Sequence, residues 1–240
     1  MKWYTLVCFS LMLSCFSNII VAQNFIEPAA GFSMKKITYV TMKDGSKLEG
    51  SFKGGQEALN GGWKWITFKP TDGKRMKIQA ADIKSMLVPE SKLSKLSEAT
   101  SIINDATKWD QDVTLNKDAI KEGYYYYETT TLAKKKKDIV AVRQILNPGY
   151  SDKIKVLDNK AGIDGPTARL GGIKVAGGND RSYFIIVGDA KAIKVSAKKY
   201  DEQFLELFAA CPEFVDKYKS DISWSDIEKH VFEFSQSCKE

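Results

Sequence analysis

The chain has 240 residues, with 36 Lys and Arg against 30 Asp and Glu, a single His and four Cys. This mild, dispersed positive charge lacks the clustered basic face that nucleic-acid binding requires, and one histidine without a nucleophile motif argues against a His-based triad. An apolar fraction of 43% is ordinary for a globular protein and sufficient for a core in one large domain or two small ones.

After Lys2 no charged residue occurs before Glu27. Thr5 to Ile20 is mostly apolar, and Ala22 places a small residue before Gln23. A positive start, an apolar middle and a small-residue exit form the pattern of a secretory signal peptide, residues 1–22, with cleavage after Ala22. Two alternatives stand beside it. The uncharged run is about long enough to remain as a membrane anchor, which takes roughly 20 residues, and Met12-Leu13-Ser14-Cys15 resembles a lipidation site at Cys15. With cleavage no transmembrane span is expected in the remainder, and the protein would reside in the periplasm or outside the cell. Cys8 and Cys15 would leave with the signal. Cys211 and Cys238 remain, an even count in an oxidising compartment, and are predicted to form a disulfide. Such a bond stabilises by roughly 3 kcal/mol in the chain-entropy model; the alternative is two buried free thiols. From Gln23 onward there are 35 Lys and Arg against 30 Asp and Glu, a net +5. This is a solvated surface with a slight bias towards anionic envelope surfaces.

Residues 23–35 contain Pro28 and Gly31 and read as an exposed lead-in, ordered only if it docks. Residues 36–88 read as a small all-β unit. Ile37 to Met42 is a strand of β-formers, and Asp44-Gly45 marks the turn to a return strand, Lys47 to Phe52. A glycine-rich loop holding Gly54, Gly55, Gly61 and Gly62 follows. Trp63 to Phe68 is the next strand, with Trp63, Trp65 and Thr67 on one face by the period of two. Asp72-Gly73 turns the chain into Arg75 to Ile78, and Ile83 to Val88 closes the run. Short strands joined by Asp-Gly turns suggest a small half-open barrel of the SH3 or Sm-like kind, a pattern that does not define a function. Residues 89–122 form a connector. Leu93, Leu96, Ile103, Ala106 and Trp109 recur at roughly helical spacing among many Ser and Thr, which compete for the backbone.

Residues 123–195 read as an antiparallel β-meander or open barrel. Tyr124 to Thr131 consists of strong strand formers, Lys134 to Lys137 sits at a turn, and Asp138 to Leu146 returns. Lys153 to Leu157 places Ile154 and Val156 on one face. After a glycine-rich stretch, Ile173 to Val175 is a short strand. Ser182 to Val187 and Ala190 to Val195 then flank Gly188-Asp189 as a hairpin. Residues 196–240 are helical. Phe204, Leu207, Phe208 and Cys211 fall at i, i+3, i+4 and i+7, and Ile227, Val231, Phe234 and Cys238 form a second apolar face. Pro212 ends one helix and starts the next, and Ser225 with Glu228 reads as a capping box. The two cysteines thus share a destination on one sheet. The fold class is mainly β with C-terminal helices (α+β).

The order Gln144-Ile145-Leu146-Asn147-Pro148-Gly149-Tyr150, Lys153-Ile154-Lys155-Val156, Ser182-Tyr183-Phe184 and Phe208-Ala209-Ala210-Cys211-Pro212 resembles a set of uncharacterised exported proteins of Bacteroidota. The resemblance implies an envelope or secreted location and a β-rich fold with C-terminal helices. It implies no activity and no catalytic residues.

Few residues offer chemistry. His230 borders an apolar helix face and reads as structural. Cys211, Cys238 and His230 lack zinc-ligand spacing, and Asp201, Glu202 and Glu206 are suited to a helix N-terminus. The paired glycines lack the strand–loop–helix setting of a phosphate loop. Lys134 to Lys137 reads as a solvated turn. Trp63 and Trp65 are the best binding candidates, since aromatic faces stack on sugars and peptides, although aromatic strand positions are commonly packing positions. No catalytic, cofactor-binding or metal residue is assigned. The reading is a non-enzymatic exported binding or interaction module whose partner is an envelope protein or a surface glycan. The alternative is a carboxylate-dependent hydrolase acting on polysaccharide, whose paired carboxyls spacing alone does not locate.

Overall fold

The structure, a computed structural model, describes residues 25–58, 60–91, 123–133, 137–163, 168–170, 173–176 and 181–238. The signal segment with Cys8 and Cys15, the connector positions 92–122 and Lys134 to Lys136 lie outside the described residues.

Among the described residues, the β-forming runs of the sequence become twelve strands: β1 (Thr38–Met42), β2 (Lys47–Glu57), β3 (Trp63–Pro70), β4 (Met76–Gln79), β5 (Ile83–Pro89), β6 (Tyr124–Leu132), β7 (Ile139–Gln144), β8 (Ile154–Ile163), β9 (Ala168–Leu170), β10 (Ile173–Ala176), β11 (Arg181–Val187) and β12 (Ile193–Val195). After β12 come the helices α1 (Tyr200–Leu207), α2 (Pro212–Tyr218) and α3 (Ile227–Ser237). The fold is mainly β with C-terminal helices, as the patterning predicts.

The first sheet has the order β2-β1-β5-β6-β7-β3-β4. Its pairing returns on itself, because β3 also pairs with β2 along most of its length, while Trp63–Val142 joins β3 to β7. The expected boundary at residue 122 is therefore not where the sheets divide. β6 and β7, expected to open a meander over 123–195, complete the first sheet instead. The cause lies in the side chains. Tyr125, Tyr127 and Val142 bury on the inner face with Phe52, Ile66 and Phe68, and the earlier strands alone would leave that face open. The lead-in also departs from its expectation. Phe32 docks edge-on against Phe52 and Trp63, at 5.2 Å from each, and bridges to Glu90.

β8, β11 and β12 form a second antiparallel sheet in the order β12-β11-β8, and β9 and β10 pair separately. The period of two splits the second sheet's side chains between two cores. Leu157, Phe184 and Ile186 pack towards Tyr126, Leu132 and Ile145 of the first sheet. Ile154, Val156 and Ile185 pack towards the helices. The molecule is thus layered as first sheet, second sheet and helices.

In the helical layer, Phe204, Leu207, Phe208, Ile227, Val231 and Phe234 bury together as their spacing predicts. Pro212 opens α2. The sulfurs of Cys211 and Cys238 lie at bonding distance, 2.12 Å, and tie the start of α2 to the end of α3. Lys153 of the second sheet donates to the carbonyls of Ser235 and Cys238, a cation placed on the free carbonyls at the end of α3. The capping box does not form. Trp224–Asp226 is a short 3-10 turn and α3 begins at Ile227, so Ser225 is too early to cap and its hydroxyl meets that of Ser223 at 2.7 Å. The Glu228 carboxylate accepts from the backbone of Phe25 instead, and burial pushes its pKa up.

Candidate functional site

Trp63 and Trp65 do not share a face. Opposite Trp65 stands Gln56, and opposite Trp63 stands Glu57, so β3 carries one extra residue, Lys64, between them. This β-bulge resets the alternation. Trp63 turns inward, 6% exposed, with its ring 4.7 Å from Phe52 and 4.9 Å from Tyr127. Trp65 turns outward and is half-buried. The glycines expected to form a loop help build this geometry. Gly54 and Gly55 lie inside β2, where a second irregularity falls between Phe52 and Gly55.

The outer wall around Trp65 has a definite chemistry. Gln56 on β2 and Gln79 on β4 stand directly opposite Trp65 on either side, forming a row across three strands. The indole N–H donates to Gln56 Oε1 at 2.7 Å. The Lys77 ammonium lies 4.2 Å from the centre of the indole ring, close enough for a cation–π contact. Thr67, Lys69 and Ser51 extend the wall through the same register. The surrounding chain is basic: residues 35–91 hold eleven Lys and Arg against six Asp and Glu.

A second polar constellation lies in the seam between the two sheets, and sequence reasoning missed it. Arg143 leaves the outer face of β7 and is 1% exposed. Its Nη1 donates to the carbonyls of Asn60, at 3.1 Å, and Gly61. The guanidinium carbon lies 5.7 Å from the centre of the Phe184 ring on β11. Gly62, at φ +75°, passes so close that a Cβ there would sit 2.7 Å from Arg143 Cγ. Burial lowers the guanidinium pKa to about 10, with the Asp158 carboxylate drawing it back up. The available signal was a cation inside the apolar run Ile139-Val140-Ala141-Val142-Arg143-Gln144-Ile145-Leu146. The other cations of the seam have carboxylate partners: Lys155 with Glu128 at 2.6 Å, Lys160 with Glu57 at 2.7 Å and Arg181 with Asp158 at 2.7 Å.

His230 is more deeply placed than its helix position suggests. It is fully buried, with Nδ1 2.8 Å from Tyr200 Oη, and it is surrounded by Phe204, Phe214 and Tyr218. Nε2 has no hydrogen-bond partner among the described residues. Burial lowers the imidazole pKa to about 4. Among the described residues no group of three or more His, Cys, Asp or Glu is placed to hold a metal ion, and no helix is long and apolar enough to cross a membrane.

These features define the class of protein as a layered, mainly β fold with disulfide-tied C-terminal helices. No family model matches the chain, and neither does any curated protein or solved structure.

Proposed function

We propose that this chain is a non-enzymatic exported binding module that recognises a surface glycan bearing acidic sugars through the outer wall around Trp65. The observation that carries this reading is the row Gln56–Trp65–Gln79 with Lys77 over the indole. An aromatic face supplies stacking area for a sugar ring, flanking amides supply donors and acceptors for hydroxyls, and the ammonium suits a carboxylate. The basic charge of residues 35–91 adds steering towards an anionic polymer. Export is supported by the apolar segment before Gln23 and by the Cys211–Cys238 pair, since disulfides persist in oxidising compartments. The resemblance to exported proteins of Bacteroidota agrees with a periplasmic or extracellular location. The carboxylates of the seam, Glu57, Glu128 and Asp158, are held in ion pairs, which favours binding over hydrolysis there.

Affinity electrophoresis through gels containing alginate tests the site. The wild type is expected to be retarded, and Trp65→Ala is expected to lose at least tenfold in affinity while melting like the wild type. Trp63→Ala, a core truncation, is expected to lose about 3–5 kcal/mol of stability. Equal retardation of wild type and Trp65→Ala would overturn the assignment.

A further inference from the structure

Among the described residues, one buried cation of the seam between the sheets makes no direct contact with a carboxylate. Lys155, Lys160 and Arg181 each hold a carboxylate. Arg143 is buried more deeply than any of them and meets only carbonyl oxygens, both through Nη1. Its Nε and Nη2 have no acceptor among the described residues. A buried cation without an anion is costly, and buried donors without acceptors are rare in folded proteins.

The identity of the vacant atoms indicates what is missing. Nε and Nη2 are the two nitrogens on one edge of the planar guanidinium, and their N–H groups point the same way as a fork. That fork matches the two oxygens of a carboxylate, which accept from it as a parallel pair. The ring of Phe184 lies below the guanidinium and helps hold its plane. One residue pair along the same sheet face, Asn159 and Ser182 are buried, and Asn159 Nδ2 donates to Ser182 Oγ at 2.9 Å. Asn159 Oδ1 has no partner among the described residues. Reversing this amide leaves the Ser182 contact intact and puts an N–H where the oxygen stands. On one side the guanidinium is covered by the turn at Gly61–Gly62, not by a sheet.

We propose that Arg143 is the receptor of a small carboxylate-bearing ligand, bound side-on by Nε and Nη2 in the seam between the two sheets. The ligand satisfies both donors at once and sets a carboxylate directly against the guanidinium. This site is distinct from the wall around Trp65 and stands whether or not that wall binds glycan.

The test is an NMR titration of the full-length protein, labelled with nitrogen-15, with acetate exchanged for chloride at constant ionic strength. The chain has four arginines, Arg75, Arg143, Arg169 and Arg181. Their Nε–H signals are assigned by single Arg→Lys substitutions. The Arg143 signal is expected to move along a saturable curve in the millimolar range, with the other three moving little. Arg143→Lys keeps the charge but removes the fork, and is expected to abolish the response. Should that variant fail to fold, Arg143 is assigned by elimination from the other three, and the wild-type titration decides alone. An Arg143 signal that does not move, or that moves only linearly in step with the others, overturns the proposal and leaves a trapped water as the acceptor.

Discussion

The first sheet and the helical layer reach order by opposite routes. In the first sheet the backbone closes the structure: β1, β5, β6, β7, β3 and β2 each pair with neighbours on both sides, and the inner side chains fill the space so defined. In the helical layer the backbone closes nothing. Helices of 8, 7 and 11 residues are too short to be stable alone. They are held by an aromatic cluster around Phe204, by the Cys211–Cys238 link and by the Lys153 contact with the end of α3. Their charges differ as well. Residues 35–91 carry a net +5, whereas residues 197–238 hold five Lys against nine Asp and Glu, a net −4. The difference teaches that side chains alone must specify the helical layer, so a core truncation there should open that layer before the first sheet.

The strongest break in this comparison is Phe204→Ala. Phe204 is fully buried and touches Tyr200, Phe208, Phe214, Tyr218 and His230. Its truncation is expected to cost about 3–5 kcal/mol. In hydrogen exchange, amides of α1 to α3 should lose protection well before those of the first sheet. Equal loss in both layers would show that they unfold as one unit. Next in size is the Cys211–Cys238 link, which spans 27 residues. Its removal in the double Cys→Ser variant is expected to cost about 3–4 kcal/mol, read from urea denaturation of oxidised wild type against the variant.

The buried histidine gives a comparable effect that depends on pH. His230 sits at about 4 in the folded chain against an ordinary 6.5, because burial disfavours its charged form. The folded state therefore binds the proton less well than the unfolded chain does. The contribution is fully present above pH 6.5 and is lost as pH falls through 4. It amounts to about 3 kcal/mol at most. His230→Gln is expected to show a flatter stability profile across this window than the wild type, measured by urea denaturation at each pH. The smallest of these effects is Gly62→Ala, expected to cost about 1–3 kcal/mol from the positive φ and the approach to Arg143. It should also weaken the acetate response of Arg143 if the Gly61–Gly62 turn shapes that site.

Much of this architecture was legible in the chain. Alternating runs marked the strands, Asp44-Gly45 and Gly188-Asp189 marked turns, and the apolar faces ending in Cys211 and Cys238 marked two helices that meet. These signals are local, set by periods of two and 3.6 and by residues that tolerate a turn. The candidate sites were less legible. Trp63 and Trp65 are two residues apart, and the bulge at Lys64 that separates them arises from pairing with Glu57 and Gln56. Arg143 was not singled out, its one local signal being a charge in an apolar run. Its burial depends on Gly61, Gly62 and Phe184, which are distant in sequence.

The sequence by itself determined most strands and the helical C-terminus, the turns at Asp44-Gly45 and Gly188-Asp189, the α+β class and the shared destination of the two cysteines, because each follows from local backbone preference and side-chain spacing. The tertiary structure alone decided that β6 and β7 belong to the first sheet, that Trp65 faces outward while Trp63 is core, and that a buried arginine occupies the seam. These are questions of which face meets which. They are settled only when strands far apart in the chain pair and exclude water from the surfaces between them.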